Sequence, residues 1–341
     1  MDYKEAGVDI DEGARAVSMM KAAVEATHGP RVLAGVGAFG GLFDAAALTP
    51  EGSPVLVAST DGVGTKTRVA AAVGRFDTIG HDIVNHCVND ILVQGARPLF
   101  FLDYVAANKL VPEVVAATVA GAAAACTKAG CALLGGETAE MPGVYGPGEF
   151  DLVGTIVGAV ARERIIDGSA VQPGDVVIGL ASSGLHTNGF TLARHIAQGI
   201  DYDQHIEALG TTLGDAFLAP HRSYLADHQA LEAAGVQINA MAHITGGGLV
   251  DNPPRVLPEG AAMTLDLSAW PLPPLFKWLQ ERGDVARDEM LRVFNVGLGM
   301  LVIVPAAQAD DAINAVTTRA WKVGEIINQG SKDKVTFTGT W

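Results

Sequence analysis

Basic side chains are in short supply in this chain of 341 residues: 23 Lys and Arg stand against 38 Asp and Glu, a formal net charge of −15. That balance argues against a broad nucleic-acid surface and leaves room only for local basic pockets. An anionic substrate would need such a pocket, or a metal. Cysteines number three, Cys87, Cys126 and Cys131, each in an apolar stretch and none in a C-x-x-C pair. They read as small core residues in a reducing compartment, not as disulfides or zinc ligands. No run of 18 apolar residues occurs, and Met1–Glu5 has no apolar signal region. A soluble, cytoplasmic protein without a membrane partner is therefore expected. Short-period repeats and low-complexity tails are also missing.

What is present is apolar and glycine-rich. Hydrophobic residues make up 49% and glycines number 41. The length exceeds a typical single core, so two domains of about 150 residues each are the prior. In the N-terminal half, Val55–Ala58 reads as a strand and Thr78–Gln94 as a helix with apolar residues at i, i+4 spacing. Leu99–Tyr104 is a strand, Val111–Lys128 an alanine-rich helix closed by Gly130, Ala132–Leu134 a short buried strand and Asp151–Ala161 a further strand. Turn chemistry near Ile166–Pro173 marks a boundary, giving domains 1–166 and 167–341. The same grammar then restarts with strand Val176–Ala181, helices Gly189–Gln198, Tyr224–Ala234 and Leu275–Arg282, and a terminal strand Gly297–Val304. The fold class is α/β, or α+β, with two such units.

The most informative motif is Asp61-Gly62-Val63-Gly64-Thr65-Lys66, directly after the apolar run Val55–Ala58. A buried strand ending in an acid, two glycines and a lysine supplies components of a nucleoside triphosphate site. The acid can hold Mg2+, the glycines admit a phosphate close to backbone N–H groups, and Lys66 adds a point charge. It is not a P-loop, whose glycine and Gly-Lys pair are separated by four residues. The glycine-dense Gly35–Gly41 follows no predicted strand and reads as a lid or loop, not a dinucleotide fingerprint.

Asp82, His86 and Asp90 follow at i, i+4 and i+8, drifting about 40° per step on one helix face. The stripe could reach a metal held by Asp61, or it could be a solvated face. Asp90, inside Val88-Asn89-Asp90-Ile91, reads as buried and in need of a cation. Gly135-Gly136-Glu137 again places an acid after an apolar strand, so Asp61 and Glu137 could converge if their strands are neighbours. Three carboxylates with phosphate oxygens suit a hard, octahedral cation. In the second half, Ser182–Gly189 and Ala242–Gly248 link strand to helix through hydroxyls, glycines and a histidine, His186 in one and His243 in the other. Either turn can cradle a phosphate.

At these residues the chain resembles the phosphoribosylformylglycinamidine cyclo-ligase, or AIR synthetase, family of purine biosynthesis. The resemblance runs from Tyr3-Lys4 and Ala6–Ile10 through Thr60–Lys66, Cys87–Asp90, Phe100–Tyr104 and Gly135–Gly143. It continues through Ile165–Gly168, Ser182–Gly189, His243–Gly248 and Pro254–Pro258. Departures are small: Ala38 stands where a second glycine precedes Phe39 in the family, and Thr187 replaces a serine.

The resemblance implies ATP-dependent ring closure of formylglycinamidine ribonucleotide to 5-aminoimidazole ribonucleotide, with ADP and phosphate released. It implies ATP and Mg2+, the metal on Asp61, Asp90 and Glu137. Lys21, Gly37, Gly40, Gly62, Gly64, Thr65 and Lys66 would line the nucleotide, with Asp61 and Lys66 also catalytic. His186 and His243 would serve catalysis, and Ser183, Gly184, His186, Asn188, Thr245, Gly246 and Gly247 would contact the ribonucleotide. It implies a homodimer whose N-terminal strands form a central β-barrel. Alternatives are a thiamine monophosphate kinase, a selenide dikinase, or a non-catalytic hydrogenase-maturation scaffold. The His186 and His243 loops and the retained acids Asp61, Asp90 and Glu137 weigh against them.

Overall fold

The computed structural model describes residues 32–34, 41–44, 55–330 and 333–341. Tyr3–Ile10, Lys21, Gly37, Ala38, Phe39 and Gly40 lie outside the described residues. Two six-stranded sheets, each backed by helices, make up the described chain. The first contains β1 (Val32–Ala34), β2 (Gly41–Asp44), β3 (Val55–Gly62), β4 (Arg97–Ala107), β5 (Ala132–Glu140) and β6 (Phe150–Val160). Its order is β1-β2-β3-β6-β4-β5, antiparallel except for the β4/β5 pair. Among the described residues this sheet is open.

Helices α1 (Lys66–Val73), α2 (Asp77–Leu92) and α3 (Pro112–Ala129) belong to this half. Strand alternation dictates where they go. Val55, Val57, Leu152, Ile156 and Val160 are buried on one face, where α2 supplies Ile83, Val84, Cys87, Val88 and Ile91. α3 packs on α2 by backbone approach at Gly80 and Gly121. A Cβ on Gly80 would collide with the Thr118 carbonyl, and one on Gly121 with that of Asp77. All three cysteines are buried and free.

The second sheet is built from β7 (Val176–Ala181), β10 (Ala240–His243), β11 (Ala261–Asp266), β12 (Leu298–Val304), β13 (Ala320–Asn328) and β14 (Val335–Thr338), while β8 (His205–Ile206) and β9 (Thr211–Thr212) form a small ribbon apart. The order is β10-β12-β7-β13-β11-β14, antiparallel but for β11/β14. β12 is buried along its whole length, as a central strand covered on both faces must be. Around it lie α4 (Phe190–Ile196), α5 (Leu213–Leu218) and α6 (Leu225–Ala233), among other helices.

Three expectations need correction. Ala132–Leu134 is not a short buried strand: β5 runs nine residues and is mostly exposed, with Leu134 64% accessible. Gly297–Val304 is not terminal, because β13 and β14 follow and complete the sheet. Asp82 and His86 do not form a solvated face, since both are buried. No helix among the described residues is long and apolar enough to cross a membrane.

Candidate active site

The two halves meet along α2, whose polar positions divide into two rows. Asp82, Asn85 and Asn89 grip the backbone of residues 221–224 from the second half. Asp82 Oδ1 accepts from His221 N at 2.6 Å, and Asn85 Nδ2 donates to His221 O at 2.7 Å. Asn89 Nδ2 donates to Arg222 O at 2.8 Å while its Oδ1 accepts from Tyr224 N at 2.9 Å. A buried loop has backbone groups that must be paired, and this helix supplies the partners. His86 and Asp90 form the other row and face a cluster of histidines.

Lys66 belongs to this junction and not to an open pocket. Its side chain is 0% exposed, and its ammonium lies 2.7 Å from Asp82 Oδ2 and donates to the carbonyls of His186 and Ala219, each at 3.0 Å. One carboxylate and two carbonyls thus enclose the ammonium. Burial pulls the Lys66 ammonium below its ordinary value and pushes the Asp82 carboxyl above its own, while their mutual attraction opposes both. The expected triphosphate ligand is thus not presented to a ligand in this structure. In the turn before it, Val63 N donates to Leu152 O, and Lys66, Thr67 and Arg68 donate to the Val63, Gly64 and Thr65 carbonyls. Thr65 Oγ1 meets Thr191 Oγ1 at 3.1 Å. Gly64, at φ +55°, makes the left-handed turn that starts α1.

Asp61 and Asp90 do come together, around His86. His86 Nε2 lies 2.8 Å from Asp61 Oδ2 and 3.5 Å from Asp90 Oδ2. Asp90 also accepts from Ser59 Oγ at 3.0 Å and pairs with His243 Nδ1 at 2.8 Å. Asp61 takes the Gly62 N–H at 2.6 Å and keeps 42% of its side chain accessible. Burial alone would raise the Asp61 carboxyl, yet the charge and hydrogen bond of His86 hold it below the usual range. Glu137 is not part of this group. Asp61 pairs through Gly154 and Asp103 to Gly136, so Glu137 stands three strands away, about 14 Å at ordinary strand spacing. As the next residue after Gly136, it also points to the opposite face of the sheet. The three-carboxylate metal set is therefore not assembled within one chain.

Four imidazoles, from His86, His186, His221 and His243, fill the junction. His86 Nδ1 lies 2.6 Å from Thr187 Oγ1, which is 3.3 Å from His221 Nδ1. His221 Nε2 in turn lies 3.0 Å from His243 Nε2. His186, held at φ +62°, accepts the Ser183 N–H on Nε2 at 3.1 Å and stacks on His221 with centroids 4.0 Å apart. Among the described residues, two groups bring donor atoms close enough for a metal: His186, His221 and His243, or His86, Asp90 and His243. The first fails on geometry, because stacked rings aim their in-plane lone pairs along parallel lines that do not converge. In the second, Asp90 already accepts from His243.

Charge is unevenly placed among these rings. Burial drives His186, His221 and His243 below the ordinary imidazole value, so all three are neutral. Burial pulls on His86 as well, but the facing Asp61 and Asp90 carboxylates, with Asp82 further off, outweigh it and carry His86 to about 9. A folded-state value above the unfolded one stabilises fully below pH of about 6.5 and is lost as pH rises through about 9. In metal-free buffer, the melting temperature should fall between pH 7 and pH 9.5 by an amount worth on the order of 3 kcal/mol, and H86Q should lack that slope.

The expected substrate loops lie against the same cluster. Ser183 Oγ donates to Pro220 O at 2.6 Å, Asn295 Nδ2 donates to Gly184 O at 2.8 Å, and Asn188 Nδ2 lies 3.4 Å from Thr187 Oγ1. Thr245 N and Gly246 O are bound by the side chain of Asn252, and Gly247 takes φ +96° where α-helix Gly248–Asp251 begins. His221 and Ser183 border a crevice of about 620 Å3 between the halves, which also holds His81, Lys128 and Arg222. Another hollow, about 820 Å3 around Trp270, Pro271 and Trp341, contains none of the expected residues. His221, Thr187, Asn85 and Asn89 were not picked out from sequence. The Pro220-His221-Arg222 segment matches no motif, and its role exists only through partners more than 20 residues away.

Residues 43–160 match the model for AIR synthase related protein, N-terminal domain, and residues 172–335 that for AIR synthase related protein, C-terminal domain. The chain is 53% identical over 329 residues to a phosphoribosylformylglycinamidine cyclo-ligase of Burkholderia multivorans, covering 96% of this chain and 93% of that one. A protein of the same name from Burkholderia mallei is 52% identical over the same shares. Among solved structures, the thiamine-monophosphate kinase of Stenotrophomonas maltophilia superposes with a TM-score of 0.61 at 19% identity, covering 95% of this chain and 96% of that one. At that identity the likeness is one of fold.

Proposed function

The chain belongs to the AIR synthase related protein family, and from that premise we propose that it is an ATP-dependent cyclo-ligase closing formylglycinamidine ribonucleotide to 5-aminoimidazole ribonucleotide in purine biosynthesis. The observation that carries the reading is the 53% identity to a cyclo-ligase along nearly all of both chains. The formamide oxygen attacks the γ-phosphorus of ATP, giving ADP and an imidate phosphate. The ribosyl-bearing amidine nitrogen then attacks the formyl carbon and loses its proton, and the C–O bond breaks to release phosphate. Attack within one molecule gains from proximity, so the protein mainly orients the chain and delivers the phosphoryl group.

ATP and Mg2+ are assigned to the Asp61 side. Asp61 fits the ion, being accessible and anionic, while Asp90 is enclosed by Ser59, His86 and His243. Mg2+ commonly takes one or two carboxylates and completes its shell with water and phosphate oxygens, whose charge it would neutralise. Gly62, Gly64 and Thr65 adjoin this carboxylate; Lys21, Gly37 and Gly40 rest on family resemblance alone. His186 and His243, with Ser183, Gly184, Asn188 and Thr245–Gly247, are assigned to the ribonucleotide. The crevice cations Lys128 and Arg222, with His81 beside them as a hydrogen-bonding side chain, suit its phosphate in a chain of charge −15.

A cytoplasmic homodimer of two-domain chains, divided as 1–166 and 167–341, fits the same reading. The sheet face away from α2 carries Leu56, Ala58, Val153, Val157, Leu102 and Tyr104, partly or fully exposed. That face continues onto Leu134 at the β5 edge. An apolar sheet face of this kind is suited to packing against a second copy. The function is tested by following phosphate and aminoimidazole together, from ATP and Mg2+, with and without formylglycinamidine ribonucleotide. Both products should appear one to one, and only with that substrate. Turnover of ATP that ignores it would overturn the reading.

A further inference from the structure

The hydrogen bonds around Thr187 close into a ring, and the ring crosses from one half of the protein to the other twice. One proton arrangement closes the ring, with the His221 Nε2–H set 3.2 Å from Asn89 Nδ2, which already donates to Arg222 O. His86 donates from Nδ1 to Thr187 Oγ1, and the hydroxyl donates to His221 Nδ1. His221 Nε2–H donates to His243 Nε2, and His243 Nδ1–H donates to Asp90. His86 Nε2–H returns to the carboxylates of Asp61 and Asp90. His86 and Asp90 come from α2, whereas Thr187, His221 and His243 come from three separate segments of the second half.

We propose that His86, Thr187 and His221 are positioning residues for the cyclisation. Through them the Asp61 and Asp90 carboxylates of the first half are locked in register with His243 and the His186 loop of the second. The inference rests on the function proposed above and goes beyond it, since that reading gives none of the three a role. Thr187 is the only link between His86 and His221 in this ring, whose centroids lie 5.2 Å apart, and its hydroxyl must accept on one side and donate on the other. His221 further fixes His186 by stacking on it. Gly299 leaves the space this needs, because a Cβ there would strike the Tyr224 hydroxyl and the His186 ring. Rings held on both nitrogens by such partners keep one tautomer and one orientation.

The test uses the full-length protein with ATP, Mg2+ and formylglycinamidine ribonucleotide. T187V keeps the side-chain volume and deletes the hydroxyl, while T187S keeps the hydroxyl. T187V should lose about 10- to 100-fold in kcat with KM for either substrate changed less than about threefold, and T187S should recover to within about threefold of wild type. H86Q combined with T187V should be little worse than the worse single variant, because both cut the same chain. A T187V enzyme with wild-type kcat, T187V and T187S losses that match, or single losses that multiply in the double variant would each overturn the proposal. Should T187V fail to fold, H86Q and H221N, alone and combined, carry the same test. A wild-type protein that makes no aminoimidazole product overturns the functional reading instead, and this inference with it.

Discussion

K66M should lose about 3–5 kcal/mol of unfolding free energy, the usual result of removing one partner of a buried ion pair. The methionine fills the aliphatic space but leaves the fully buried Asp82 carboxyl without its counter-charge, and it strips a donor from the carbonyls of His186 and Ala219. D82N in the same chain should recover a good part of the loss. The amide oxygen can keep the His221 N–H now taken by Oδ1, while the unpaired charge disappears. Denaturant midpoints of the two single variants and the double variant, read as a cycle, measure this coupling. The alternative, Lys66 as a phosphate ligand, makes a different prediction: KM for ATP would rise while stability held. A stable K66M protein with a raised KM would remove the interdomain strut described here.

The lysine also shows where sequence stops being legible. Its motif, an acid and two glycines ahead of a lysine, points to phosphate chemistry, and only the placement of Asp82 and of the 186 and 219 carbonyls redirects it. Asp82 is 16 residues away, but the carbonyls are 120 and 153 residues away, beyond any local pattern. Helix α2, by contrast, was readable almost to its ends: Thr78–Gln94 was expected and Asp77–Leu92 is found, because its apolar period is strong and buried throughout. The i, i+4 spacing likewise put Asp82, His86 and Asp90 on one face; the structure gathers Asp61 and Asp90 around His86 but turns Asp82 to Lys66 and the His221 backbone. What spacing could not supply was the sheet order. Asp61 and Glu137 each stand next to glycine after an apolar run, yet β6 and β4 lie between their strands.

The extent of β5 and the presence of β13 and β14 were hidden for related reasons. Gly135 and Gly136 look like a turn that ends a strand, but they sit inside one, paired with Leu102 and Asp103. In β13, Lys322 and Glu325 interrupt the apolar alternation, and the register shifts between Lys322 and Gly324. A bulge moves the inward residues out of strict period two, leaving Val323 and Ile326 as its buried positions. The second-half histidines were legible as chemistry but not as a cluster. Each sits in a hydroxyl and glycine setting, and only His221, in a segment with no motif, joins them.

D90A should be the most damaging change to turnover, with kcat reduced about 100-fold or more. Asp90 Oδ1 holds the Nδ1–H of His243, which leaves that ring's Nε2 as the acceptor facing His221. Without the carboxylate, His243 is free to exchange tautomers, and two N–H groups can then oppose each other across 3.0 Å. Ser59 loses its acceptor, and His86 loses one of the two nearest charges that raise its pKa. D90N separates these effects. Its amide oxygen can keep the bond to His243, while the amide nitrogen faces the Ser59 hydroxyl, which can turn to accept. The tautomer survives and the charge does not. If orientation of His243 is what Asp90 provides, D90N should retain about a tenth of wild-type kcat and lie well above D90A. If the charge itself is required, to balance His86 across the junction, D90N should fall as far as D90A, and its melting temperature should drop less than that of wild type as pH rises toward 9, since Asp61 still faces His86.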